Sequence, residues 1–244
     1  MKYLPFCIFS ILLLCAVCKR IYAQPSGPDT ASSGQPATYL YSLYSRELAG
    51  SLRIYNGDQY IPYGKKTKNA PFYASDSLLQ GDVFYDGTLY REIGLLYDQV
   101  SDDIIINNPD NSGKIKLVGD KIRYFKLQGH LFVRLNPDSQ GMKMDGFYDW
   151  TYSGRVNVFV KREKKMEFAA RAEDDVPRYV EYKHYFIGMG ARYYPVSSEK
   201  SLLDLLSDHK SLLKKYLRSS GLKFRKKPEE TINAAASYYS QLKN

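Results

Sequence analysis

Val83-Phe84-Tyr85-Asp86-Gly87-Thr88-Leu89-Tyr90 decides how the rest of the chain is read. Two runs of aromatic and aliphatic residues flank Asp-Gly, a dipeptide that tolerates positive φ at both central positions of a tight hairpin turn. Upstream, Leu52-Arg53-Ile54-Tyr55 meets Asn56-Gly57 and continues into Tyr60 to Tyr63, which predicts a second hairpin of the same kind. Downstream, Leu95-Leu96-Tyr97, Asp103 to Ile106, Ile115 to Val118, Ile122 to Leu127, His130 to Leu135 and Gly146 to Tyr152 keep the same texture. Ser153-Gly154 turns the chain into Arg155 to Lys161, and Tyr185 to Ile187 and Tyr193 to Val196 flank Gly188-Met189-Gly190. Short strands at regular spacing without intervening helices predict a mainly β fold: an antiparallel meander in an open sheet, roll or barrel. A parallel nucleotide-binding sheet is disfavoured because no βαβ alternation appears. Two stretches break the rhythm, Gly64 to Gln80 and the charged Lys164 to Tyr182, and the latter is predicted as an exposed loop or frayed hairpin.

After Val196 the apolar period changes from two to about 3.6. Leu202, Leu205, Leu206, Leu212, Leu213, Tyr216 and Leu217 form one stripe, with Ser198 or Ser201 as its cap and Gly221 beyond its end. Pro228-Glu229-Glu230 suits a helix start, since Pro fits the first turn and acids face the positive dipole end. Ile232, Ala235, Ala236, Tyr239 and Leu242 follow as its stripe. The prediction is a two-helix tail over about residues 198–242, closing one β-rich domain that spans residues 39–244.

The opening reads as an export signal. Lys2 precedes an apolar run from Leu4 to Cys18, and Ile21-Tyr22-Ala23 leads into Gln24-Pro25, which predicts cleavage between Ala23 and Gln24. At ~1.5 Å per residue the run spans roughly 22 Å, short of a ~30 Å hydrocarbon core. Residues 24–38, rich in Pro, Ser, Gly and Ala, read as a flexible tether, and Tyr39 to Leu48 as a short helix. All three Cys (Cys7, Cys15 and Cys18) lie inside the signal, so a cleaved chain of 221 residues has no thiol chemistry, disulfide or thiolate metal site. Cleavage also removes Lys2, Lys19 and Arg20, so the surplus of 35 basic over 26 acidic residues falls from +9 to +6. A periplasmic, outer-membrane-surface or extracellular location fits this reading, and no nucleic-acid partner is expected.

Beyond these patterns, the order of several short motifs is similar to a family of secreted Bacteroidetes-type proteins. The resemblance rests on Leu52 to Gly57, Tyr85 to Tyr90, Leu95 to Asp98, Gly146-Phe147-Tyr148, Tyr152 to Arg155, Val160-Lys161-Arg162, Tyr193 to Val196, Ser201-Leu202-Leu203 and Leu222 to Arg225. It implies export and a bacterial envelope setting, and brings no activity and no catalytic residue.

Candidate chemistry is thin. His130, His184 and His209 lack zinc-ligand spacing, so no metal is expected; His130 reads as a strand-edge residue and His209 as a helix-interface residue. No nucleophile elbow occurs, no cofactor motif is present, and no catalytic residue is assigned. Asp98, Asp102 and Asp103 cluster in one turn without a calcium-loop pattern. Set beside Asp149 at a concave face, they would support a carboxylate-dependent hydrolase of envelope polymers. Asp149 beside Trp150 also suits a sugar, and Tyr148 adds amphipathic contact area.

The basic clusters are more visible. Arg155, Lys161, Arg162, Lys164 and Lys165 decorate one predicted hairpin, and His209 to Lys227 holds eight Lys or Arg and no acid. Lys210, Lys214 and Arg218 form a stripe at four-residue steps, and Lys223, Arg225, Lys226 and Lys227 crowd the inter-helix link. Such a surface attracts anionic lipid, lipopolysaccharide or acidic glycan; it also matches a plain solvated helix face. The leading reading is a non-enzymatic envelope binding or structural protein. A small apolar-ligand carrier built on a closed barrel is the remaining alternative.

Overall fold

The computed structural model describes residues 53–136, 145–168 and 176–242. The predicted signal, its cleavage site, the tether and the Tyr39 to Leu48 helix lie outside the described residues.

Among the described residues eleven antiparallel strands form one open sheet in the order β1-β5-β4-β3-β2-β6-β7-β8-β9-β10-β11. They are β1 (Asp58–Gln59), β2 (Leu79–Tyr85), β3 (Thr88–Asp98), β4 (Asp103–Asn107), β5 (Lys114–Lys116), β6 (Ile122–Leu127), β7 (His130–Leu135), β8 (Gly146–Tyr152), β9 (Asn157–Glu167), β10 (Arg178–Met189) and β11 (Arg192–Val196). Two meanders, β2 to β5 and β6 to β11, are joined where β2 pairs with β6. The Asp86-Gly87 hairpin forms as expected, pairing Tyr85 with Thr88, and both turn residues take positive φ, 48° and 81°. Pro195 sits on β11, the last strand in the order, where one edge needs no ladder donor.

The first predicted hairpin does not form. Arg53–Tyr55 makes a single 3₁₀ turn that buries Ile54, and the chain then pairs β1 with β5. A side chain at Gly57 would strike the Lys116 carbonyl, so this glycine serves close backbone approach instead of a two-residue turn. Residues 169–175 of the Lys164 to Tyr182 region lie outside the described residues, and the rest of it is more regular than predicted. Strand β9 runs to Glu167 and β10 starts at Arg178, in register from Gly188 opposite Asn157 to Arg178 opposite Glu167. Alternation explains the difference, because polar and aromatic residues here share each face instead of segregating to one.

The buried hydrophobic side chains of the described residues gather in three clusters. Tyr97, Phe125, Phe132 and Phe147 are fully buried, Tyr97 and Phe125 each meet the other three rings, and Phe125 stacks on Phe132 at 4.6 Å. Among the described residues the sheet stays open and does not close into a barrel.

The tail holds three helices, not two: α1 (Glu199–Leu205), α2 (Lys210–Ser219) and α3 (Pro228–Gln241). Ser198 caps α1 and exchanges bonds with Ser201 in a capping box. The predicted single stripe is interrupted by a 3₁₀ turn at Ser207–His209, where Asp208 accepts from Tyr239 Oη at 2.8 Å. Leu202, Leu206, Leu213 and Leu217 still face one way, against Ile232, Ala235 and Ala236 of α3 and Val156, Val158, Ile187 and Val196 of the sheet. The small alanines permit close approach of α3. His209 packs edge-on to Tyr239, an interface residue as predicted.

Candidate functional site

Strand register builds a polar site that no local motif announces. Phe132 lies opposite Asp149, Asp149 opposite Val160, and Arg162 and Lys164 opposite Lys183 and Glu181. Side chains alternate with period two, so His130 of β7, Asp149 of β8, Arg162 and Lys164 of β9, and Glu181 and Lys183 of β10 share one face. Helix α3 then brings Glu229, in its first turn, onto the same face.

Asp149 is fully buried, and its Oδ2 accepts from His130 Nδ1 at 2.8 Å and from Arg162 Nε and Nη2 at 2.9 and 2.6 Å. Its Oδ1 has no partner among the described residues. Arg162, 4% exposed, also donates to both Glu229 oxygens at 2.6 and 3.2 Å. Burial opposes the guanidinium charge, but Glu229 and Asp149 outweigh it and hold Arg162 above its ordinary value. Burial likewise works to raise Glu229, yet Arg162 and Lys183 hold it below the usual carboxylate range. The hydrogen bond to Asp149 raises His130 despite its partial burial.

Apart from the buried Asp149, these residues form one wall of a cleft of about 560 Å³. The other wall is the segment from Asn69 to Ala74, fastened by Asn69 to the backbone of Tyr179 at 2.7 and 2.9 Å. Lys164 Nζ donates to the Ala70 and Phe72 carbonyls at 3.1 and 2.5 Å, and burial lowers its pKa. Tyr73 lies edge-on to His130 at 5.8 Å, and burial pushes its hydroxyl up to about 12. His130 does stand at the edge of a strand, as the first residue of β7, but its pairing with Asp149 is not announced by the sequence around it. The available signal was the placement of Asp149 and Arg162 inside apolar strand runs, where an unpaired charge is costly.

The predicted carboxylate cluster does not assemble with Asp149 into a paired-acid site. Asp98 is buried and accepts from Tyr63 Oη and Val100 N at 2.9 Å each. Asp102 accepts from Tyr97 Oη and Lys161 Nζ at 2.6 Å each and from Phe147 N at 3.0 Å, while Asp103 pairs with Lys116. All three fasten the β3–β4 turn to its neighbours. The proposed sugar face of Asp149 and Trp150 is likewise absent, since Asp149 is buried and Trp150 stacks on Phe159. Tyr148 is fully buried against Phe186 and supplies core rather than contact surface. Of the predicted basic hairpin, Lys161 and Arg162 are buried in ion pairs.

The tail cluster is different. Lys210, Lys214, Arg218, Lys223, Arg225, Lys226 and Lys227 are all exposed. Lys210 pairs with Asp204 and Lys227 with Glu230, both at the surface. Beside them opens a groove of about 980 Å³, lined chiefly by Tyr185, Phe186, Pro195, Val196, Phe224 and Pro228, with Lys183, His184 and Arg225 also on its walls. Phe224 comes from the α2–α3 link that carries the four clustered cations, and Pro228 opens α3 directly after it. Among the described residues no group of three or more His, Cys, Asp or Glu could hold a metal ion, and no helix is long and apolar enough to cross a membrane.

Comparison with protein-family models, with curated proteins and with solved structures finds no match to this chain. The functional reading rests on the geometry.

Proposed function

We propose that this chain is an exported envelope protein that binds anionic lipid at a membrane surface through its helical tail. One observation carries the reading: the α2–α3 link places Phe224 and Arg225 on an apolar groove that Pro228 also lines, and Lys223, Lys226 and Lys227 are exposed on the same short link. An acyl chain in the groove and an acidic headgroup on the cations use both halves of that segment. Leu212, 44% exposed on α2, is a further apolar side chain at the surface of the tail, close in sequence to Lys214 and Lys215.

Vesicle co-sedimentation tests it. Phosphatidylglycerol-containing vesicles pull down the protein at low salt, and high salt releases it. Changing Lys223, Arg225, Lys226 and Lys227 to Gln removes about 1 kcal/mol per charge, on the order of a hundred- to thousand-fold in partitioning. Phe224→Ser weakens binding but leaves its salt dependence intact. Equal binding by the quadruple variant, or none by the wild type at either salt, overturns the proposal.

A further inference from the structure

The polar cleft under the Asn69 to Ala74 segment is separate chemistry from the lipid surface, and its charges cancel. On its walls Arg162, Lys164 and Lys183 stand against Glu181 and Glu229, and the third carboxylate, Asp149, is buried behind Arg162 and paired with it. An anion entering this cleft faces two carboxylates, and a cation faces two ammonium groups. A neutral ligand meets no such penalty.

Two groups in the cleft are left unengaged among the described residues. Asp149 Oδ2 accepts from His130 Nδ1, which leaves the ring's other nitrogen, Nε2, without a partner among the described residues. The Tyr73 hydroxyl is also without a hydrogen-bond partner, although its ring is fixed between His130 and Phe132. Lys183 Nζ, 3.6 Å from Glu181 and 3.3 Å from Glu229, sets an ammonium between two carboxylates. Donors and acceptors thus alternate along one wall.

We propose that this cleft is a binding site for a neutral sugar unit, held by Tyr73, His130, Lys164, Glu181, Lys183 and Glu229. A hydroxyl both donates and accepts, so neighbouring hydroxyls match an alternating ammonium–carboxylate wall as no single-sign ligand does. Tyr73 supplies the aromatic surface, and about 560 Å³ falls within the ~300–1,000 Å³ usual for small-molecule sites. The buried Asp149–Arg162–Glu229 chain has the role of a rigid support: it fixes the His130 tautomer and holds Glu229 in place.

The chain has three histidines, which makes their ring resonances a direct reporter. The full chain is titrated, without lipid, with glucose, galactose, mannose and N-acetylglucosamine, and separately with inorganic phosphate. At least one sugar shifts the His130 ring signals saturably and leaves those of His184 and His209 in place. Saturation-transfer signals from that sugar confirm contact, and they weaken about tenfold or more in affinity for Glu181→Gln, which keeps the side-chain shape. Tyr73→Phe, which keeps the ring, gives a second reduction. The proposal is overturned if no sugar moves His130, if phosphate alone does, or if both variants bind the sugar as the wild type does. The lipid experiment has no bearing on any of these outcomes.

Discussion

Arg162→Met is the most informative single change in the sheet. Arg162 supplies two of the three donors on Asp149 Oδ2, and Asp149 is fully buried with Oδ1 already unpartnered. Methionine fills much of the same space but leaves a buried carboxylate with His130 alone. Breaking a buried pair from one side costs about 3–5 kcal/mol. Glu229 adds little to that figure, since its side chain is 24% exposed and keeps Lys183. For a domain of this size the loss lowers the melting temperature by about 6–20 °C, at ~2–4 °C per kcal/mol. Urea unfolding followed by far-UV circular dichroism gives the free energy directly. The double variant Asp149→Leu with Arg162→Met removes both charges, and recovers most of the loss because an apolar pair has no desolvation penalty. A cost below about 1 kcal/mol for Arg162→Met, or simple additivity in the double variant, refutes the claim that Asp149 depends on this guanidinium.

Three further outcomes follow from local geometry. His130 is raised from 6.5, so its stabilising contribution is complete below the unfolded value and fades as pH rises through the folded one. Glu229 is lowered from 4.5, so its contribution is present above that value and fades as pH falls. Urea midpoints therefore peak on the mildly acidic side of neutral, and His130→Asn flattens the alkaline decline; an unchanged slope would count against the dyad. Gly146→Ala places a methyl group against Asp102 and Lys161 at a φ of 125°, and the strain alone costs about 1–3 kcal/mol. Gly113→Ala, with open space around it, serves as the control and leaves the midpoint within about 1 kcal/mol. Ser198→Ala removes the α1 capping box and costs about 0.5–2 kcal/mol, read as a shifted midpoint with an unchanged m-value.

The fold class was readable because its signals are local. Asp86-Gly87 states its turn in two residues, and the Ser198 cap and Pro228 helix start each fit within one turn of chain. The failures share the opposite property. Asn56-Gly57 looks like a hairpin, but β1 finds its partner in β5, nearly sixty residues away, and the close contact with Lys116 decides Gly57's role. The pairing of His130 is similar: it depends on the β7–β8 and β8–β9 registers, which together bring residues 130, 149 and 162 to one face. The exposed tail cations were legible as a charge run, and the groove beside them was not, because Tyr185, Pro195 and Phe224 come from three separate elements.

The two proposed sites meet on one strand. Alternation along β10 puts Tyr179, Glu181, Lys183 and Tyr185 on the same face. Tyr179 and Glu181 line the polar cleft, Tyr185 lines the apolar groove, and Lys183 lines both. Glu229 ties this junction to α3, through Lys183 on one side and Arg162 on the other. The α2–α3 link runs into that same first turn of α3 at Lys227 and Pro228. A headgroup pulling on the link therefore acts on the helix start that positions Glu229. Lipid at the groove and sugar in the cleft would then alter each other's affinity by one common factor, as linkage requires. Glu229→Gln weakens the Arg162 and Lys183 contacts without touching the clustered cations, so it is the variant in which that factor falls toward one. Sugar titrations with and without phosphatidylglycerol vesicles measure it, and a factor that Glu229→Gln leaves unchanged rules out this route between the sites.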